Sequence, residues 1–221
     1  MNRKEKKYSD TAGIILAGGQ SRRMGTDKAL LKIGNSSVIE RVVSALQPCV
    51  SQLCLAAATD RSYDFLQLPI AEDSFPGQGP LSGLYAGMSS LDAQWYVLSA
   101  CDLPFASTRL LEIMLERVHT RAQEDEPIQV ILPTHEGRHH PLYAVYHRSV
   151  YASLEIALRS GQLRVMDWLH QHTVAELPLA ELLIERSESH DDLSPWCLHN
   201  MNDPAAYQLA LQHIDSNHNV H

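Results

Sequence analysis

Short apolar runs alternating with helix-patterned stretches constrain this chain more than any other feature. Thr11–Ala17 (TAGIILA), Gln52–Ala57, Leu68–Ala71 and Trp95–Ala100 (WYVLSA) are too short for buried helices. Their unbroken apolar character suits strands covered on both faces. Between them, Ser36–Leu46 places Val38, Ile39, Val42, Val43 and Leu46 at the spacing of an amphipathic helix. Leu81–Leu91 reads as a second helix, and Ser107–Val118 as a third with Ser107 as its N-cap. This rhythm predicts an α/β fold with a mostly parallel central sheet. Beyond a polar break at Glu124–Pro127, further strands are expected at Ile128–Leu132, His140–Val145 and Thr173–Leu177. Helices are expected at Val150–Leu158, Leu163–Leu169 and Pro204–Leu211, and a loop over Glu185–Ser194.

Composition narrows the class of partner. A chain of 221 residues fits one domain, and its net charge of −8 argues against general nucleic-acid affinity. The basic opening MNRKEKKYSD is followed by no apolar run of signal-peptide or bilayer-spanning length. A cytoplasmic protein without membrane contact is the expectation. Four cysteines, none paired as C-x-x-C, read as reduced thiols.

Ligands of open α/β sheets sit at the carboxyl ends of strands. Two unusual segments lie there: Gly18–Lys28 after the first run, and Cys101–Pro104 after WYVLSA. The string LAGGQSRRMGTDK is not a Walker A loop, because five residues separate Gly19 from Gly25 and Thr26-Asp27-Lys28 follows. The dinucleotide fingerprint G-x-G-x-x-G is absent as well. The chemistry still suits phosphate. Gly18, Gly19 and Gly25 allow backbone N–H groups to approach a ligand closely, Arg22 and Arg23 offer forked donors, and Lys28 is a mobile point charge. Asp102, ending a strand and fixed by Pro104, is placed to hold Mg²⁺, which prefers oxygen ligands and substrate phosphates. The competing role for Asp102 is a cap on the next helix. For Asn200 and Asn202 the competing role is turn and cap chemistry.

These motifs together resemble the NTP-transferase superfamily, and within it the molybdenum cofactor guanylyltransferases, the MobA family. The glycine-rich loop carries that resemblance first. AEDSFPGQGPLSG at 71–83, SACDLPF at 99–105, GQLRVMDW at 161–168 and NMNDP at 200–204 follow in order, so it spans Leu16 to Pro204. It implies a Rossmann-like three-layer nucleotidyltransferase fold. A single domain over 11–213 is expected, with a GTP half at 11–105 and a pterin-cofactor half at 106–213. A flexible tail of residues 1–10 and a mobile 214–221 would flank it.

The resemblance implies transfer of GMP from GTP to molybdenum-molybdopterin with release of pyrophosphate. Lys28, Arg22 and Asp102 would be catalytic, with Asp102 on the Mg²⁺. Leu16, Ala17, Gly18, Gly19, Arg23, Gly25, Lys28, Asp73 and Asp102 would bind GTP. Gly79, Gly83, Arg164, Asn200 and Asn202 would bind the pterin cofactor. Molybdoenzymes, their chaperones and a GTP-binding adaptor are further candidate partners. One position departs from the family: LCLAAATD offers Ala56 to Ala58 where some members place a nucleotide-touching asparagine. A cytidylyltransferase making the cytosine form of the cofactor would share the loop, as would another sugar- or alcohol-phosphate nucleotidyltransferase. The Gly18-Gly19 pair favours guanine. A nucleotide-binding regulatory module without turnover would be expected to lack Lys28 or Asp102, and both are present.

Overall fold

The computed structural model describes residues 8–17, 27–57, 61–121, 127–185 and 193–218. The chain opens with strand β1 (Tyr8–Ala17), a two-stranded hairpin of β2 (Lys32–Ile33) and β3 (Ser36–Ser37), helix α1 (Val38–Leu46), β4 (Val50–Ala57), α2 (Pro80–Ser90), β5 (Trp95–Ala100) and α3 (Thr108–Arg121). It continues through β6 (Val130–His135), β7 (Arg138–His139), β8 (Tyr143–His147), α4 (Tyr151–Arg159), α5 (Val165–Leu169), β9 (Val174–Pro178), α6 (Leu179–Glu185) and α7 (Pro204–His218).

The main sheet has seven strands in the order β4-β1-β5-β8-β6-β7, with β9 also paired to β6. β4, β1 and β5 are parallel neighbours, β8 runs antiparallel between β5 and β6, and β9 runs parallel to β6. Thus β4, β1, β5, β6 and β9 share one direction, as the alternating pattern predicts. Successive β1 side chains serve opposite faces, the geometry of a strand covered twice. Ile15 joins a core with Ile39 and Val42 of α1, Leu111 and Met114 of α3, and Leu182 of α6. Ile14 joins the other core with Leu84 and Met88 of α2, Leu154 of α4 and Trp168 of α5. Helices on both faces make the three-layer Rossmann-like arrangement.

Several boundaries differ from the sequence expectation for identifiable reasons. β1 begins at Tyr8, inside the expected tail, and the Tyr8 amide donates to the Cys49 carbonyl at 3.2 Å. The last helix runs to His218, beyond its expected end at Leu211. Ile214 packs with Tyr207 and Leu211 on a small core of Ile33, Val38 and Met201, which holds the extra turn. The run Leu68–Ala71 forms only a single bridge, Ile70 to Leu55. The Leu55 amide donates to Pro69 O at 2.9 Å and its carbonyl accepts from Ala71 at 2.7 Å, but Pro69 has no N–H with which to extend the ladder. The first helix starts at Val38 because Ser37 and Glu40 form a capping box there. Among the described residues, no helix is long and apolar enough to cross a membrane.

Candidate functional site

β1 and β5 end side by side, and their ends carry the first elements of the site. The Cys101 amide donates to the Leu16 carbonyl at 3.1 Å, so the segment after β5 turns directly over the end of β1. Asp102 comes next. Its main-chain carbonyl accepts from the Met201 amide at 2.9 Å, which brings the 200–202 turn against it. Its Oδ1 is buried and has no hydrogen-bond partner among the described residues. Burial raises its carboxyl pKa, and the nearby Lys28 charge pulls it part of the way back. Asp102 does not cap the following helix: the Ser107 hydroxyl accepts from the Leu110 amide at 3.2 Å and does that work. A buried acceptor left without a donor costs about 1–3 kcal/mol, which makes a buried carboxylate oxygen with no partner among the described residues the unusual polar group at this strand end.

Lys28 approaches from the other side. Asp27 precedes it and caps a short 3₁₀ turn over Lys28–Leu30, accepting from the Ala29 amide at 3.0 Å. The Lys28 ammonium donates to the main-chain carbonyl of Asn202. Asn202 in turn donates its amide to the Asn200 carbonyl at 3.1 Å. The Asn200 Oδ1 is a second buried acceptor with no partner among the described residues. Neither asparagine caps α7, because Asp203 Oδ1 accepts from the Ala206 amide at 2.8 Å. The structure therefore gathers Lys28, Asp102, Asn200 and Asn202, with Leu16 and Ala17 at the end of the strand beneath.

A second group forms at the first turn of α2. The Asp73 carboxylate accepts from the Phe75 amide at 2.8 Å and from the Ser82 hydroxyl at 3.3 Å, and Ser82 also donates to Gly79 O at 2.8 Å. Gly79 adopts φ +76°, a conformation that favours glycine, and a Cβ there would meet open space. Gly83, expected to contact the pterin cofactor, is closely packed in this structure. A Cβ on it would lie 2.5 Å from Leu16 Cδ2 and 3.4 Å from the Ala56 side chain. Its bare Cα lets α2 press onto β1 and β4, so its observed role is packing. Arg164 is exposed at the start of α5. Its side chain joins neither group among the described residues. Gly18, Gly19, Arg22, Arg23 and Gly25 fall outside the described residues.

Two residues of this neighbourhood were not singled out by sequence reasoning. Tyr63 donates its hydroxyl to Asp27 Oδ2 at 2.6 Å and steadies the turn that presents Lys28. Gln78 keeps a buried Oε1 without a partner among the described residues, just before Gly79. Neither lies in a pattern that marks it: Tyr63 falls in a stretch without periodicity, and Gln78 is flanked by glycines that dominate the reading.

The chain is similar to several known proteins. Residues 13–176 match the family described as the MobA-like NTP transferase domain. A probable molybdenum cofactor guanylyltransferase of Carboxydothermus hydrogenoformans is 34% identical over 200 residues, which cover 90% of this chain and 93% of that protein. A protein of the same description from Bacillus mycoides is 37% identical over 165 residues, covering 70% and 80%. In fold, the chain is similar to molybdopterin-guanine dinucleotide biosynthesis protein A from Archaeoglobus fulgidus. The TM-score is 0.75 at 22% identity, over 93% of this chain and 99% of that one. It is also similar to 2-C-methyl-D-erythritol 4-phosphate cytidylyltransferase from Thermus thermophilus. There the TM-score is 0.64 at 13% identity, over 91% and 98%.

Proposed function

The chain belongs to the MobA-like NTP transferase family and is a nucleotidyltransferase, and from that premise we propose that it transfers GMP from GTP to molybdenum-molybdopterin, releasing pyrophosphate. The observation that carries the reading is the pair of buried oxygens, Asp102 Oδ1 and Asn200 Oδ1, that have no partner among the described residues and lie beside the Lys28 segment.

Those oxygens fit Mg²⁺. Among the described residues no group of three or more His, Cys, Asp or Glu could hold a metal ion. A site made of one carboxylate and one amide oxygen leaves most positions to water and substrate phosphates, which is how Mg²⁺ is commonly bound. Asp102 and Asn200 would hold it. When bound, the ion would neutralise charge developing on the oxygens around the α-phosphorus.

The protein's own share is positioning and electrostatics, since phosphoryl-type transfer asks for little covalent help. Lys28 would place a mobile positive charge against the triphosphate and the departing pyrophosphate, with Arg22 and Arg23 as further cations. The β1 end at Leu16 and Ala17 would lie along the base. Gly79, with its open left-handed turn, and the asparagine segment would border the acceptor. Asp73, held against α2, would stand on the nucleotide side. The acceptor's terminal phosphate would attack the α-phosphorus in line with the leaving pyrophosphate.

The test is direct. Protein, Mg²⁺ and loaded molybdopterin are incubated with GTP or with CTP, and pyrophosphate release is followed. Turnover with GTP is expected, and faster turnover with CTP would overturn the guanylyl assignment.

A further inference from the structure

The Asp102 segment and the Lys28 segment belong to different parts of the chain, and one side chain outside the site joins them. Arg41, on α1, donates its Nε to the Pro104 carbonyl at 2.6 Å and its Nη1 to the Ile33 carbonyl at 3.4 Å. Pro104 lies two residues past Asp102, and Ile33 lies in the hairpin strand that follows the Lys28 turn. The guanidinium also sits over the Phe105 ring at 5.6 Å from its centroid. One planar group thus spans two backbone oxygens and an aromatic face, a set of partners for which guanidinium is suited and ammonium is not. Beyond it lies a cavity of about 480 Å³ lined by Ser44, Phe105, Thr108 and Trp196.

We propose that Arg41 is a positioning residue, which sets the spacing between the Asp102 oxygen and the Lys28 ammonium without itself touching substrate. The inference rests on the reading of Asp102 as the metal-facing carboxylate. A useful control exists at the opposite end of the sheet. Arg148 makes a similar clip there, donating Nη1 to Asp92 Oδ1 at 3.1 Å, Tyr96 Oη at 3.0 Å and Ala93 O at 3.4 Å. It holds backbone just as Arg41 does, yet far from Asp102.

The experiment measures Mn²⁺ binding by electron paramagnetic resonance in the full chain, together with kcat and KM for GTP. Wild type, D102N, R41M, R41K and R148M are compared. Arg41→Met is expected to weaken Mn²⁺ binding by about tenfold and to lower kcat by about 10- to 100-fold, the scale of a small misplacement of a reacting group, with KM for GTP changed by less than about threefold. Arg41→Lys keeps the charge but not the fork. It decides the matter if Arg41→Met does not fold, and is expected to lose at least about threefold in both quantities. Arg148→Met should lose stability and keep wild-type Mn²⁺ affinity and kcat. Wild-type values in the Arg41 variants, or equal losses in Arg148→Met, would overturn the proposal. Mn²⁺ binding that persists in Asp102→Asn would instead overturn the metal role of Asp102, and the inference about Arg41 with it.

Discussion

The two ends of the central sheet hold several of their polar groups differently. At the amino end of β5, the Tyr96 hydroxyl donates to Leu91 O at 2.9 Å and accepts from the Ala93 amide at 3.3 Å and from Arg148 at 3.0 Å. Gln52 donates to Asp92 O at 3.2 Å nearby, and the Gln94 amide to Asp10 O at 2.9 Å. At the carboxyl end, Asp102 Oδ1, Asn200 Oδ1 and Gln78 Oε1 are buried with no partner among the described residues, as is His135 Nδ1 where β6 ends. Both ends are packed on the same cores, so burial alone does not separate them. What differs is the local network: the polar groups around Tyr96 bond to one another, whereas Asp102, Asn200 and Gln78 each keep a buried oxygen without a partner among the described residues.

That contrast can be broken most forcefully at Asp102. Asp102→Asn keeps the shape and removes the charge, and turnover should fall by about 10³-fold or more, as when a group that stabilises developing charge is lost. Thermal stability should not fall with it, since Oδ1 has no hydrogen-bond partner among the described residues. Activity near wild type would take Asp102 out of the site. Lys28→Ala should lower kcat by about 10²–10³, the usual loss for one electrostatic stabiliser. A change below about threefold would make Lys28 a tether to Asn202 and no more.

The amino end predicts the converse. Tyr96→Phe deletes a hydroxyl with three partners and should cost about 1–3 kcal/mol of stability, read by denaturant or thermal unfolding, while kcat is unchanged. A fall in kcat without loss of stability would erase the distinction between the ends. The mildest effect is a pH slope. Burial raises the folded carboxyl pKa of Asp102 above its unfolded value. The stability this group confers is therefore full below the ordinary carboxylate range and is lost as pH rises through the raised folded value. Metal-free protein should show that decline in its melting temperature. Asp102→Asn should flatten it, and added Mg²⁺ should offset it.

The parallel half of the fold was legible because its strands are written as uninterrupted apolar runs. Trp95–Ala100 is the clearest, with identical bounds in sequence and structure. The place of Asp102 at a strand's carboxyl end was legible for a related reason: it closely follows the end of such a run. The antiparallel half was harder. β7 is two residues long, and α6, with about two turns, follows β9 without a break, so neither repeats its period often enough to be read. The packing role of Gly83 was not legible, because a glycine that admits a ligand and one that admits a neighbouring strand look alike in sequence. The contacts that assemble the site left no mark at all, since Lys28, Arg41 and Met201 all bind main-chain atoms, which every residue type carries.

The contact between Lys28 and the Asn202 carbonyl spans 174 residues of chain. The entropy of closing so long a loop grows only slowly with length, so the cost in the finished fold is modest. Its consequence lies in timing. At roughly 5–20 residues per second of synthesis, on the order of ten seconds or more separates the two partners as the chain is made. During that interval β1, β4 and β5 can already pair, yet the lysine has no carbonyl to rest on and Asp102 no asparagine turn beside it. If Lys28 and Asp102 act as proposed above, catalytic competence would be withheld from the nascent chain until α7 is being added.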